Sequence, residues 1–115
     1  MFTHLHVHTE FSLLDGLSKL DSLVNHAVDL NMHSLAITDH GGMYGAIDFY
    51  QSALKSGIKP IIGCEMYMAP KSRHDRNPNE KSPFHMTVLA QNNKGYENLV
   101  KMVSKSHIEG YYYKP

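Results

Sequence analysis

Short apolar runs alternate with amphipathic stretches along these 115 residues, and histidines or carboxylates stand within the runs or just beyond them. That rhythm predicts strands alternating with helices, hence an α/β fold with a mostly parallel sheet. Phe2–Val7 reads as a first strand, with Phe2, His4, His6 and His8 towards one face and Leu5 and Val7 towards the other. A loop follows over Phe11–Ser18, with Asp15-Gly16 as its turn. Ser18, with Asp21 three residues on, is the expected N-cap of a helix reaching about Leu30. Leu35–Thr38 reads as a buried strand, and Met43–Ser56 as a helix burying Ile47, Tyr50 and Leu54, with Gly57 as a left-handed cap. Pro60–Met68 and Met86–Ala90 complete the expected strands. Asn92 or Asn93 caps a last helix with Tyr96, Leu99, Val100 and Val103 on one face. Pro70–Pro83 is polar and reads as a solvated loop, its Lys71, Arg73, His74, Arg76 and Lys81 included.

Lys plus Arg and Asp plus Glu both total 11, so the chain is formally neutral, which argues against a self-sufficient nucleic-acid surface. Cys64 stands alone and can form no internal disulfide, as in a reducing cytoplasm. No run approaches the roughly 20 apolar residues of a membrane helix, and no cationic segment precedes an apolar one. The expectation is a cytoplasmic domain without membrane contact.

Nine histidines give unusual capacity for metal. Alternation turns His6 and His8 the same way, and two adjacent inward imidazoles need partners. Asp15 lies in the loop after that strand, His40 just past the next, and Glu65 inside a third, where an unpaired carboxylate is costly. His85 precedes its strand and reaches the same edge only if that strand runs against the others. Nitrogen and oxygen donors without thiolate suit Zn²⁺, Mn²⁺ or Fe²⁺. Six candidates exceed one tetrahedral shell, and a carboxylate can bridge, so more than one ion is expected. Asp39 is a candidate acceptor holding an imidazole in one tautomer. His4 is expected to pack low in the fold. His26, His33, His74 and His107 are expected to be solvated, and Cys64 to be a small core residue.

His6-Val7-His8-Thr9 with Asp15-Gly16, then Thr38-Asp39-His40 and Glu65, resemble the opening motifs of the polymerase and histidinol phosphatase (PHP) superfamily. Phe11–Gly16, Met43-Tyr44-Gly45-Ala46, Ile58–Glu65 and Gly95–Leu99 resemble, more narrowly, the N-terminal segment of the bacterial DNA polymerase III alpha subunits. The resemblance runs from about Phe2 to Pro115. It implies a distorted (β/α)₇ barrel with metals at the carboxyl ends of its strands, of which residues 1–115 are about the first half. On matching positions the family's ligands fall on His6, His8, Asp15, His40, Glu65 and His85. A later His and Cys pair and a closing Asp-x-His would lie beyond Pro115.

The resemblance further implies a replication enzyme whose metal site hydrolyses phosphoesters, such as a misincorporated 3′ nucleotide, or pyrophosphate. Its partners would be the remainder of the polymerase chain, DNA through the full-length protein, and other replication subunits. The alternatives are a scaffold that binds subunits without catalysis, or a small free-standing phosphatase. Half a barrel leaves edges uncovered, so self-association is expected of the segment alone.

Overall fold

The computed structural model of the chain describes residues 2–77 and 84–115. Its elements are α1 (Leu20–Asp29), β1 (Ser34–Ile37), α2 (Ala46–Lys55), β2 (Lys59–Met68), β3 (Phe84–Leu89) and α3 (Asn93–Ile108). β2 is central, parallel to β1 and antiparallel to β3. The sheet is therefore mixed rather than mostly parallel. α2 returns the chain from β1 to the start of β2, as parallel pairing requires. No helix separates β2 from β3 among the described residues, so the chain folds straight back. Lys81 and the end of the expected 70–83 loop lie outside the described residues.

The expected strand over Phe2–Val7 runs beside β1 without forming a regular ladder. Ala36 N–H donates to the His4 carbonyl at 3.0 Å and Thr38 N–H to the Val7 carbonyl at 2.8 Å. Three residues on one side thus span two on the other, a slip of one. The Thr38 hydroxyl fills the gap, accepting from Val7 N–H at 2.9 Å where a ladder would offer a carbonyl.

Ser18 does not cap α1. Its backbone is extended against Thr9, and its carbonyl accepts from Glu10 N–H at 2.9 Å. Lys19 takes the N-cap position, and the Glu10 carboxylate accepts from Leu20 N–H at 3.2 Å instead. α1 and α2 end alike. Asn31 (φ 53°) and Gly57 (φ 75°) adopt left-handed conformations. Met32 N–H then reaches the Ala27 carbonyl, and Ile58 N–H the Ala53 carbonyl, both at 2.9 Å. The Asn92 side chain caps α3, accepting from Gly95 N–H at 2.9 Å.

The larger core joins Leu20, Val24 and Ala27 of α1, Leu35 and Ile37 of β1, and Phe49 and Ala53 of α2. Each large side chain so buried contributes about 1.5–3 kcal/mol. α2 is rotated relative to expectation: Ala46, Phe49 and Ala53 are buried, whereas Ile47, Tyr50 and Leu54 are about half exposed. Both stripes have helical spacing. The buried one pairs a phenyl ring lacking polar atoms with two alanines small enough for close approach. A second core, Cys64, Met66 and Leu99, lies between β2 and α3 farther along the same sheet face, with Ile62 packed against both cores. The described part of the 70–83 loop is tied down rather than free: Arg73 pairs with Glu109 at 2.6 Å and Arg76 donates to the Glu109 carbonyl at 2.6 Å. No helix among the described residues is long and apolar enough to cross a membrane.

Candidate metal centre

The sheet register itself builds half of the site. β1 and β2 pair Ser34 with Lys59 through Ile37 with Ile62, and the same offset recurs beyond β1, where His40 pairs with Glu65. Partners in register project to the same face, so imidazole and carboxylate stand side by side. On the other side of β2, Tyr67 pairs with His85, two residues along from the Glu65–Thr87 pair. β3 runs antiparallel, so the condition for His85 to reach the edge is met.

Glu65 is the floor, 5% exposed. His6 Nε2 and His8 Nε2 lie 2.5 Å and 2.6 Å from its Oε2. His85 Nδ1 lies 2.6 Å from its Oε1, and His40 Nδ1 faces that same oxygen at 4.0 Å. At the rim, Asp15 Oδ2 lies 2.8 Å from His40 Nε2 and 3.6 Å from His8 Nδ1. All six sequence candidates converge. They form three overlapping groups: His6, His8 and Glu65; His8, Asp15 and His40; His40, Glu65 and His85. The side chains of His6 and Asp15 are 57% and 52% exposed, so the cluster opens to solvent.

The donor set fits a divalent cation. His6 Nε2 and His8 Nε2 are 3.2 Å apart on one carboxylate oxygen, a crowding of nitrogens that a shared cation resolves. His40 Nδ1 is buried without a hydrogen-bond partner, which costs about 1–3 kcal/mol unless something takes its lone pair. Burial pushes the Glu65 carboxyl up, but hydrogen bonds from His6, His85 and His8 outweigh it and hold it at about 2. The hydrogen bond to His40 lowers the Asp15 carboxyl. Both carboxylates are thus ionised and available as ligands at neutral pH.

Asp39 does not hold an imidazole, contrary to expectation. Its buried carboxylate accepts from Thr9 N–H at 2.6 Å, the Thr9 hydroxyl at 2.7 Å and the Ser12 hydroxyl at 2.7 Å. Ser12 Oγ in turn accepts from His40 N–H at 3.1 Å, and the Ser12 carbonyl accepts from Asp15 N–H at 3.1 Å. One buried anion therefore anchors the segment between His8 and Asp15 to the end of β1. A side chain at Gly16 would fall on the Thr9 carbonyl, so this turn requires glycine. Sequence reasoning missed Thr9 and Ser12, whose hydroxyls announce no spacing. It also missed Tyr67, which period-two alternation from Glu65 places on the site face.

His4 is exposed and stands edge-on to Phe2, 4.8 Å between centroids, rather than deep in the fold. His107 is half-buried rather than solvated, with Nδ1 donating to the Val103 carbonyl at 2.9 Å. Cys64 is a core residue as expected, and burial pushes its thiol up to about 11. An apolar cavity of about 640 Å³, with Met66, Met86 and Met102 in its wall, is centred between α3 and the sheet face opposite the cluster.

Residues 4–115 match the family model for the PHP domain. Relatives named DNA polymerase III subunit alpha include those of Treponema pallidum, 52% identical over 116 residues, and Borreliella burgdorferi, 48% identical over 116 residues. Each alignment covers 99% of this chain and 10% of the relative. That of Thermus aquaticus is 46% identical over 119 residues, with the same shares covered. The chain thus spans about a tenth of the length of the curated relatives it matches. Among solved structures, a protein described as a metal-dependent phosphoesterase from Bifidobacterium adolescentis aligns with TM-score 0.60 at 24% identity, covering 86% of this chain and 32% of that one. An amidohydrolase from Chromobacterium violaceum aligns with TM-score 0.59 at 19% identity, covering 90% and 34%. At these identities the structural likeness concerns the fold: an α/β architecture with a small mixed sheet.

Proposed function

The chain belongs to the PHP domain family, and from that premise we propose that residues 1–115 are the N-terminal part of the PHP domain of a bacterial DNA polymerase III alpha subunit. On this reading the β1–α2–β2 unit and β3 are about the first half of a distorted (β/α)₇ barrel, completed by the remainder of the polymerase chain. His6, His8, Asp15, His40, Glu65 and His85 are assigned as ligands of Zn, Mn or Fe ions, more than one in the complete domain.

The observation that carries this reading is the division of labour at Glu65. Its two oxygens face different imidazole pairs, His6 with His8 and His85 with His40, so this one carboxylate would hold divalent metal together with all four rings. Divalent metal bound by these residues would supply Lewis-acid chemistry, activating water and neutralising phosphoryl oxygens. The chain's own part is to keep Glu65 ionised, to fix the rings around it, and to leave the rim at His6 and Asp15 open to a phosphoester. The substrate assigned is a mispaired 3′ nucleotide of DNA, or pyrophosphate. With no net charge of its own, the segment takes its hold on DNA from the full-length cytoplasmic protein, alongside the other replication subunits.

Metal analysis of the full-length protein, wild type against His8→Ala, tests the centre: bound divalent metal is expected, reduced by the substitution. Wild-type protein without metal, its stability unmoved by His8→Ala, refutes it. A scaffold reading has an observation in its favour too. The six side chains come from segments dispersed along the sequence, so metal would clamp the fold whether or not it hydrolyses anything. Asp15→Asn separates the two, assayed for melting and for 3′ hydrolysis of a mispaired primer. Loss of hydrolysis with melting intact supports catalysis. Reduced melting with no hydrolysis in either protein supports the scaffold.

A further inference from the structure

We propose that Tyr67 is a positioning residue of the metal centre: its ring is the wall that sets the orientation of His40 and His85. This rests on the metal reading above. Tyr67 lies two residues past Glu65 on β2 and projects to the same face. Its ring is parallel to that of His40, 7° between planes and 5.9 Å between centroids, and edge-on to His85 at 4.9 Å and 81°. His40 and His85 themselves meet at 5.4 Å and 74°. The three rings thus form one closed triangle in which each fixes the tilt of the other two, at separations where aromatic pairs attract.

The surroundings leave the phenol ring little choice of position. Gly41, at φ +58°, has no side chain, and a Cβ there would stand 2.9 Å from Tyr67 Cε2. The Lys114 ammonium sits 4.8 Å from the ring centroid. Tyr67 is therefore seated between a glycine backbone, a cation and two candidate ligands. His40 must aim one nitrogen at Asp15 and the other towards Glu65, and His85 must aim Nδ1 at Glu65. A ring free to turn about its Cβ–Cγ bond meets these demands only part of the time. The Tyr67 wall removes that freedom through ring contact; hydrogen-bonded supports of metal-binding rings typically change affinity by about 10–100-fold when lost, and a loss at the lower end of that range is expected here.

The test compares wild type, Tyr67→Phe and Tyr67→Leu in the full-length protein, titrating Co²⁺ alone and reading both affinity and the visible ligand-field spectrum. Phe keeps the wall, so affinity within about threefold of wild type and an unchanged spectrum are expected. Leu removes it, so a loss of about tenfold or more is expected, with a shifted spectrum. Tyr67→Val, which suits a strand, replaces Leu if that variant does not fold. Folded Leu or Val protein with wild-type affinity and spectrum overturns the proposal, even if its melting temperature falls. So does Phe losing as much as Leu, because the hydroxyl rather than the ring would then matter, and so does failure of both truncations to fold. A wild-type protein that takes up no Co²⁺ overturns the metal reading itself, a result distinct from equal binding by all variants.

Discussion

Asp39→Ala offers the sharpest test of how the site is held. The carboxylate is 2% exposed and accepts three hydrogen bonds, one from the Thr9 backbone and two from the hydroxyls of Thr9 and Ser12. Alanine leaves all three donors without their acceptor. The Thr9 N–H cannot turn elsewhere and costs about 1–3 kcal/mol. The hydroxyls can rotate and recover part of their loss, so about 1 kcal/mol each is a fair figure for them. The sum is about 3–5 kcal/mol, a large share of the 5–15 kcal/mol that holds a typical domain. Asp39→Asn keeps one oxygen for Thr9 N–H and Ser12, and its amide can donate to Thr9 Oγ1, so about 1–2 kcal/mol is expected. Hydrogen exchange followed by mass spectrometry in the full-length protein reads this locally. Peptides spanning 8–16 and 38–41 are expected to exchange about two to four decades faster in the alanine variant, and about tenfold faster in the asparagine variant. Exchange within threefold of wild type for alanine, or asparagine worse than alanine, refutes the anchoring role.

Phe49→Ala, at a fully buried ring in the larger core, is expected to cost about 3–5 kcal/mol, read as a lowered urea midpoint; a loss below 1 kcal/mol contradicts the core assignment. Gly57→Ala is expected to cost about 1–2 kcal/mol through its left-handed backbone alone, because no atom lies within 4 Å of the added Cβ. Glu65 falls from an ordinary 4.5 to about 2 in the folded chain, on the order of 3 kcal/mol at about 1.4 per pKa unit. A depressed carboxyl stabilises above its unfolded pKa, so with chelator present this contribution is whole above about pH 4.5 and fades as pH drops towards 2. Glu65→Gln should flatten that part of the pH–stability curve, and an equally steep curve in the variant sinks the assignment.

The convergence of these six side chains was legible because carboxylates and imidazoles at strand ends are costly to leave unpaired. Histidines and carboxylates beside apolar runs have few inert explanations, and strand alternation already turned His6 and His8 together. The strand direction at His85 was legible only as a condition, since the 69–83 connection carries no helical pattern to force a crossover. What the sequence hid follows from what periodicity cannot resolve. The stripes Ala46-Phe49-Ala53 and Ile47-Tyr50-Leu54 both satisfy a helix, and only packing selects between them. The slip between His4 and Val7 depends on one hydroxyl, Thr38, replacing a carbonyl. Ser18 does not cap α1 because its backbone already pairs with Thr9, and the Glu10 carboxylate accepts from Leu20 N–H instead. Thr9 and Ser12 look like ordinary loop residues until the Asp39 carboxylate is seen between them.

The constant offset that joins Ser34 to Lys59 and still holds at His40 and Glu65 decides which insertions and deletions the molecule tolerates. The connection through α2 can grow or shrink by a residue at its exposed C-terminal end, near Lys55 and Gly57, because interstrand hydrogen bonds, not helix length, align these two side chains. Removing a single residue between Ile37 and His40, or between Ile62 and Glu65, would instead bring Cys64 or Met66 alongside the imidazole, or turn the imidazole to the other side of the sheet. Length variation in natural relatives should therefore collect at the C-terminal end of α2 and be absent from those two short stretches.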